Sequence, residues 1–315
     1  MNLPIQLKIP DVFFQNQVIC DYQVNSRMKK IWAVEFDLLN ELIKVCEEYH
    51  LTYYLFGGTM LDAVRHQGFI PWDNDVDVIL PRKDYDKLLE IGPKVFKAPY
   101  YFQTPKTEDG KYFYFFAKLC NSLTTGRSDV EYKAGQNCGI FIDIFFLDNL
   151  PDGKLERWWY VHKLSRITRM ARFCGASILF TPKKGLINIL KMKINKLIYK
   201  LSGSPSPSKL FDRYNHVAGK YKDKETEEWG QIVWGYRDSV TWKRHDWKSS
   251  ILASFGPLET VIPEKYDIVL RKQYGDYMQF PPKEQRVCHE YYDFDAETPY
   301  KEYFERKTNG RNYDT

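Results

Sequence analysis

The 315-residue chain is 43% apolar and 16% aromatic with a formal net charge of +5, so it can bury a sizeable core. Its six cysteines are scattered without a Cys-x-x-Cys pair, which argues against a zinc ribbon or a regular disulfide framework and favours reduced thiols. No secretory signal and no run of the ~20 apolar residues that span a membrane is present, so we expect a soluble, cytoplasmic protein.

The chain opens with a predicted helix, a strand and a second helix. Residues 28–49 carry apolar residues at three- and four-residue intervals, which predicts an amphipathic helix. The short strand LTYYLF follows, and Gly57-Gly58 ends it. Thr59 is then placed to cap a helix over Met60–His66. This alternation indicates a mixed α/β fold.

The next elements continue the alternation. The segment DVDVIL predicts a strand that ends at Pro81, and RKDYDKLLEIG predicts a helix that ends at Gly92. Two further strands, KYFYFFAKLC and GIFIDIFFLDNLP, are rich in β-branched and aromatic residues. Asp148 is assigned to the turn that closes the second of them.

Positive charge is concentrated in residues 154–200, which contain twelve Lys or Arg and one acid. Within this segment, residues 183–201 predict a helix with one apolar face bordered by lysines. That pattern suits either contact with an anionic membrane surface or packing against another domain. The flexible hinge SGSPSPS follows. We therefore predict three parts, a catalytic core over 1–151, a basic helical segment with the hinge over 152–208, and a mixed C-terminal part completing the catalytic domain over 209–315.

Three acids, Asp73, Asp75 and Asp77, alternate along DNDVDVIL. A calcium loop would need a glycine at its sixth position, where Val78 stands. A solvated strand face is a second explanation. On a strand, Asp75 and Asp77 lie about 7 Å apart on one face, where their carboxylates repel each other unless a cation lies between them. The third explanation is therefore a metal site.

Two other features favour the metal site. The Gly57-Gly58 turn precedes a helix, whose first N–H groups can hold phosphate oxygens. Asp143 lies inside an apolar strand, where a carboxylate needs either a metal ion or backbone donors to offset the cost of its burial. Together these features predict a phosphoryl-transfer site that uses Mg²⁺, or Mn²⁺ in its place, with Asp75, Asp77 and Asp143 as ligands.

Three further residues, Arg65, Trp72 and Lys118, are candidates to bind the substrate. Arg65 is either a phosphate clamp or a solvated cation at a helix end. Trp72 is either a wall for a base or a quaternary ammonium, or a core residue. Lys118 lies in an apolar strand and needs an anion, for which a donor phosphate is suitable. His66 is favoured as a structural residue or helix cap.

Four blocks of the sequence resemble the LicD family, which includes fukutin and fukutin-related protein. These are FGGTMLDAVRHQGFIPWDNDVDVIL (56–80), FAKLCNSLTT (116–125), GIFIDIFFLDNLP (139–151) and YGDYMQFPPKEQRVCHE (274–290). They occur in the family's order and cover most of the chain. The resemblance implies a nucleotidyltransferase-like fold of the polymerase-β type, an α/β (α+β) architecture with a mixed sheet and helices, to which the basic helical segment is an insertion.

The resemblance also implies an activity. It implies a phosphotransferase that moves a phospho-alcohol, most commonly phosphocholine, from a CDP-activated donor to a glycan, with release of CMP. The acceptor would be a cell-surface glycan such as lipopolysaccharide, teichoic acid or capsule, or its lipid-linked precursor. A lipid-linked acceptor favours the membrane-surface interpretation of 183–201, at the inner face of the membrane.

By position, Asp75, Asp77 and Asp143 correspond to the family's acidic metal-binding residues. Gly57, Gly58 and Thr59 correspond to its donor-phosphate turn. His289 lies in the fourth block and is assigned to the donor site. The family often has a second His where Glu290 stands here and an Asp where Asn74 stands. Because Asn74 is on the opposite strand face, that difference leaves the metal pair intact.

Two other functions remain open. The same metal site would serve a nucleotidyltransferase that acts on RNA or a small molecule, although no RNA-binding module is recognisable and no nucleic acid partner is expected. A non-catalytic glycan-binding protein that keeps the fold is the alternative from another class. The presence of all three acids argues against it.

Overall fold

Helices and strands alternate in the computed structural model, which describes residues 3–171, 186–288 and 293–310. The helices are α1 (Ser26–Glu48), α2 (Gly57–His66), α3 (Arg82–Val95), α4 (Asp129–Lys133), α5 (Lys154–Ala171), α6 (Leu186–Leu201), α7 (Pro207–Ala218), α8 (Tyr266–Tyr274) and α9 (Tyr300–Thr308). The strands are β1 (Gln17–Ile19), β2 (Tyr22–Val24), β3 (Tyr54–Leu55), β4 (Asp77–Pro81), β5 (Tyr100–Gln103), β6 (Ala117–Asn121), β7 (Thr125–Arg127), β8 (Ile140–Leu150), β9 (Glu228–Gly230), β10 (Thr241–Lys243), β11 (Ser250–Phe255), β12 (Leu258–Pro263) and β13 (Asp293–Asp295).

Seven strands form one mixed sheet in the order β10-β9-β8-β4-β3, with β6 also beside β8 and β5 beside β6. The long strand β8 organises this sheet: β4 runs parallel to it, and β6 and β9 run antiparallel to it. Helices α1 and α3 pack against β8. A mixed sheet covered by helices confirms the predicted α/β class.

Helix α1 forms where the sequence predicts an amphipathic helix. Asn25 caps it, since its side chain accepts a hydrogen bond from the N–H of Met28 at 2.9 Å. Leu38, Leu39 and Leu42 lie on its inner face and are fully buried. Burial of an apolar face, rather than helix propensity, supplies most of the stability of such a helix.

The prediction that Thr59 caps the second helix is wrong. Helix α2 begins three residues earlier, because Gly57 adopts a left-handed φ of +57° that L-residues disfavour and Phe56 takes the cap position. Thr59 instead lies in the first turn, where its hydroxyl accepts a hydrogen bond from the N–H of Asp77 at 2.8 Å. The hydroxyl therefore ties the start of α2 to the start of β4.

Two other predicted boundaries also differ. Helix α3 continues past Gly92 to Val95, so the prediction that it ends at this glycine is wrong. A Cβ on Gly92 would lie 2.7 Å from a ring carbon of Phe102, so the glycine provides close packing rather than a helix end. The strand predicted from KYFYFFAKLC begins only at Ala117.

Asp148 is not in a turn, as the sequence predicted, but inside β8. Its carboxylate is fully buried and accepts a hydrogen bond from Nε of Arg82 at 2.6 Å. The guanidinium of Arg82 also donates to Asn215 at 3.1 Å and lies 3.7 Å from the ring centroid of Phe146. This buried ion pair offsets the charge of the carboxylate and allows the strand to continue to Leu150, while Oδ2 of Asp148 has no hydrogen-bond partner in the described part of the chain.

The C-terminal part of the chain adds to the same sheet. Strand β9 pairs with β8 and β10 pairs with β9, while β13 pairs with β7. The division of the chain at residues 151 and 208 stays a prediction.

Among the described helices, none combines the length and the apolar character needed to cross a membrane.

We expect Asp148→Ala to lower the free energy of unfolding by about 3–5 kcal/mol, because it removes the fully buried counter-charge of the Arg82 guanidinium and leaves only the partly exposed Asp86, at 3.5 Å. The matched control is Asp212→Ala, which removes a 2.7 Å ion pair with Lys106 in which both side chains are more than half exposed. The control should cost at most about 1 kcal/mol. Denaturant titration measures both, and equal losses would contradict the assignment of Asp148 as a structural anchor.

Candidate active site

Three charged residues lie in one row across three adjacent strands. Asp77 of β4 is the register partner of Asp143 in β8, and Asp143 is the register partner of Lys118 in β6. The N–H of Asp143 donates to the carbonyl of Val76 at 2.8 Å, which fixes β8 against β4 at this point. Asp143 is the only residue of β8 that is not fully buried. The sheet therefore brings together side chains that lie in three separate blocks of the sequence.

Lys118 has a protein anion as its partner. Its ammonium group forms an ion pair with Oδ1 of Asp143 and lies 3.6 Å from the ring centroid of Phe141. Burial, followed by the nearby charge of Arg127, lowers the pKa of Lys118 to about 8, and Asp143 partly offsets this. The sequence assigned a donor phosphate to this lysine, whereas in the structure it holds the carboxylate of Asp143.

The alternating acids lie as a strand face would place them. Asp73, Asp75 and Asp77 are partly exposed, while Asn74 and Val76 between them are buried. Only Asp77 is inside β4, so the other two acids belong to the extended segment that leads into the strand. That segment continues directly into β4, which argues against the curled loop of a calcium site. The structure adds Asp73 to the pair that the sequence singled out.

The glycine turn faces these carboxylates. The N–H of Phe56 donates to the carbonyl of Asp77 at 2.9 Å, which places the turn beside the start of β4. A Cβ on Gly57 would lie 3.2 Å from Oδ2 of Asp77, and one on Gly58 would lie 3.4 Å from Oδ2 of Asp73. The N-terminus of α2, with its free N–H groups and positive dipole end, therefore lies next to the acids.

Three neighbouring carboxylates act on the carboxyl of Asp77. Burial raises the pKa of its carboxyl well above the usual range, and the charges of Asp75, Asp143 and Asp73 raise it further. Lys118 opposes the effect only in part. A cation placed among these carboxylates would relieve the repulsion and favour their ionised forms.

Two further acids were missed in the sequence. Glu35 of α1 and Asp62 of α2 are both fully buried, and each has one carboxylate oxygen without a hydrogen-bond partner in the described part of the chain. Burial raises the pKa of both carboxyls well above the usual range, and the charges of Asp73 and Asp75 add to it. The available signal was a charged residue within an apolar helical stretch, such as IWAVEFDLL around Glu35.

Helix α8 contributes a tyrosine to the same place. The hydroxyl of Tyr274 would lie 3.5 Å from a Cβ on Gly57, and it accepts a hydrogen bond from Nε2 of Gln273 at 3.3 Å. Burial, and next the charge of Asp77, raises the pKa of Tyr274. The sequence pointed to this block as a whole and assigned His289 within it, but His289 lies outside the described residues.

Arg65, His66 and Trp72 form a separate cluster around Phe280. Nη1 of Arg65 donates to the carbonyl of Tyr277 at 2.7 Å, and its guanidinium lies 4.9 Å from the Phe280 ring centroid. His66 stacks on the same ring at 5.6 Å, and the buried Trp72 meets it edge-on at 6.1 Å. Here Arg65 holds the loop after α8, and the structure gives it this partner rather than an anion. His66 and Trp72 therefore contact protein aromatic rings, and Gln67 rather than His66 takes the C-cap position of α2.

The oxygen-rich set of ligands suits a hard divalent cation. Carboxylates are the side chains that Mg²⁺ and Mn²⁺ prefer, and several converge here. Within the described ranges, no three His, Cys, Asp or Glu side chains form a group that could hold a metal ion by themselves. Mg²⁺ usually takes one or two carboxylates together with substrate phosphate and water. Asp75 and Asp77, beside a helix N-terminus that can hold phosphate, fit that requirement.

Comparisons with known proteins cover the same segment of the chain. A profile of the family described as LicD/FKTN/FKRP, nucleotidyltransferase domain, matches residues 50–166. The chain is 27% identical over 270 residues to the lipopolysaccharide cholinephosphotransferase LicD of Haemophilus influenzae, which covers 83% of this chain and 97% of that protein. It is also 32% identical over 129 residues to an uncharacterised protein of Rickettsia prowazekii, covering 41% of this chain and 43% of that protein. The profile match contains the glycine turn and the whole charged row.

We expect Gly57→Ala to lower the free energy of unfolding by about 1–2 kcal/mol, because an L-residue is strained at its φ of +57°. Gly58→Ala is the control, since its Cβ would meet only one carboxylate oxygen, at 3.4 Å, and a helical alanine is favoured over glycine by up to about 1 kcal/mol. Thermal or denaturant unfolding measures the free energy of unfolding of both variants. A larger loss at Gly58 than at Gly57 would show that the turn is assigned to the wrong glycine.

Proposed function

Because residues 50–166 form a nucleotidyltransferase domain of the LicD family, as the sequence blocks indicated, we propose that this chain is a phosphotransferase that moves phosphocholine from CDP-choline to a glycan. The relative from Haemophilus influenzae, matched over nearly its whole length, carries the name lipopolysaccharide cholinephosphotransferase. That name supports phosphocholine as the transferred group. It also supports a surface glycan, or its lipid-linked precursor, as the acceptor.

The observation that carries this proposal is the charged row beside the glycine turn. Asp77 and Asp143 are register partners, and Oδ2 of Asp77 lies close to Gly57. One side of the site therefore presents carboxylates and the other presents the N–H groups of a helix N-terminus. Phosphoryl transfer requires both, since phosphate must be held and its negative charge must be neutralised.

The donor would bind between these two sides. The first N–H groups of α2, at Gly57, Gly58 and Thr59, have no intrahelical acceptor and would hold a phosphate of the donor. Asp75 and Asp77, with Asp143 as a third ligand in one of its two roles, would hold Mg²⁺ or Mn²⁺, which would neutralise the charge of the donor diphosphate and of the departing CMP.

The transfer itself forms one bond and breaks one. The oxygen of an acceptor hydroxyl attacks the phosphorus of the phosphocholine group, the bond from that phosphorus to the bridging oxygen breaks, and CMP leaves with the electron pair. Lys118 holds Oδ1 of Asp143 and leaves Oδ2 for one further contact. That contact is either with the cation or with the acceptor hydroxyl, whose proton it would then accept.

These two roles of Asp143 predict different effects of Asp143→Asn. If Asp143 is a ligand, the variant should bind Mn²⁺ more weakly in an electron-paramagnetic-resonance titration. If it is the base, Mn²⁺ affinity should hold while kcat falls by about 10²–10⁴-fold, the range that general-base catalysis contributes. Unchanged affinity together with unchanged kcat would exclude Asp143 from the reaction.

The family description also favours a second candidate, transfer of a nucleotide to a small molecule. The two functions release different products. Phosphocholine transfer from CDP-choline releases CMP, whereas nucleotide transfer from a triphosphate releases pyrophosphate. Incubating the protein with CDP-choline, CDP-ribitol, CDP-glycerol and nucleoside triphosphates in turn, with and without Mg²⁺, separates them. We expect Mg²⁺-dependent CMP release with CDP-choline, and pyrophosphate release alone would overturn the proposal.

We expect Asp77→Asn and Asp75→Asn to reduce CMP release by at least about 100-fold, since loss of a metal ligand removes several kcal/mol of transition-state stabilisation. The matched control is Asp223→Asn, which changes an exposed carboxylate paired with Lys83 at 3.0 Å. The control should keep wild-type turnover, and circular dichroism should show all three variants folded. Near-wild-type turnover of Asp77→Asn at limiting Mg²⁺ would contradict the assigned site.

A further inference from the structure

Helix α6 presents an apolar face to solvent. Five of its apolar residues recur at three- and four-residue intervals and so lie on one side of the helix. They are Leu190, Ile194, Leu197, Ile198 and Leu201, which are 60, 49, 56, 40 and 79% exposed, and we call them the α6 face. Apolar residues at such spacing are normally buried, as those of α1 are. A contiguous exposed apolar patch of this kind indicates an interaction surface.

Positive charge borders the α6 face. Lys193, Lys196 and Lys200 are exposed on the helix, and none forms an ion pair with an acid in the described part of the chain. The sequence contains no Asp or Glu between Glu156 and Asp212. The surface therefore combines exposed leucine and isoleucine side chains with lysines that no acid of the same segment neutralises.

Aromatic residues lie exposed on the helix that packs against α6. Trp158 and Trp159 near the start of α5 are 48% and 62% exposed. Contacts between α5 and α6 join the two helices. Tryptophan favours the boundary between water and lipid, because its ring is apolar and its N–H remains hydrated.

An anionic bilayer fits these three observations together. A nucleic acid would satisfy the lysines but would not bury leucine and isoleucine side chains. A second copy of the chain would bring one lysine-bordered face against another, and the like charges would repel. An anionic lipid surface accepts the apolar side chains between its acyl chains and the lysines among its head groups.

We propose that α6 is a membrane-docking helix that lies in the interface of an anionic bilayer with the α6 face toward the acyl chains. At 1.5 Å per residue, its 16 residues extend about 24 Å along the surface. Such a helix lies on the membrane and does not cross it. The sequence left domain packing open for residues 183–201, and the exposure of the α6 face favours the membrane. Residues 183–185 lie outside the described ranges.

The test measures cosedimentation of the full chain with phosphatidylglycerol-rich vesicles and with pure phosphatidylcholine vesicles. The wild-type protein should bind the anionic vesicles much more tightly. The triple variant Lys193→Gln, Lys196→Gln, Lys200→Gln should bind them about 100-fold more weakly, since each lysine near an anionic surface contributes roughly a factor of five. The matched control changes three exposed lysines of α3, Lys83, Lys87 and Lys94, to glutamine and should retain binding.

A second variant tests the apolar side. Leu197→Gln with Leu201→Gln should weaken vesicle binding while leaving the melting temperature unchanged, because both side chains are exposed. A fall in melting temperature would show that the face packs within the protein and would overturn the proposal. So would wild-type cosedimentation by the lysine variant, or dimer formation that the leucine variant abolishes. Binding is measured without donor or acceptor, so failure of the proposed enzymatic activity would leave this result standing.

Discussion

Repulsion between carboxylates is the constraint on which the candidate site depends. Burial raises the pKa of the Asp77 carboxyl, and the nearby charges of Asp75, Asp143 and Asp73 raise it further. Lys118 supplies one positive charge and forms its ion pair with Asp143. The N-terminus of α2 adds the positive end of a helix dipole. The negative charge that remains is the charge a divalent cation would balance, which makes the site suited to binding a diphosphate.

The sequence predicted the parts of the site that local pattern controls. Asp143 could be found because a carboxylate in an apolar strand is conspicuous, although its role stays a prediction. Glu35 and Asp62 gave only the weaker signal of a charged residue in a helical stretch, because tertiary packing decides which helix faces approach the acids. Asp148 was misplaced for a related reason, since its partner Arg82 is 66 residues away and nothing local marks the pair. Patterns of two or three residues therefore predicted the strands and the glycine turn better than the buried charge pairs.

The C-terminal part of the chain completes the surroundings of the site. Tyr274 places its hydroxyl beside the glycine turn, and Arg65 of α2 binds the carbonyl of Tyr277 in the loop that follows. These contacts join the fourth sequence block to the first. The basic helical segment differs from the rest, because the five residues of the α6 face are exposed. The proposed functions therefore assign the chemistry to the charged row on β4, β8 and β6 and the membrane contact to the basic helical segment.

The central claim is that the acids at the start of β4 hold a divalent cation together with the donor. Anomalous diffraction from crystals grown with Mn²⁺ and CDP-choline tests it most directly, because Mn²⁺ scatters anomalously and takes the same ligands as Mg²⁺. The account predicts an anomalous peak in contact with carboxylate oxygens of Asp75 and Asp77, with the donor diphosphate between that peak and Gly57. A bound donor with no peak at these carboxylates, or a peak elsewhere in the molecule, would contradict it.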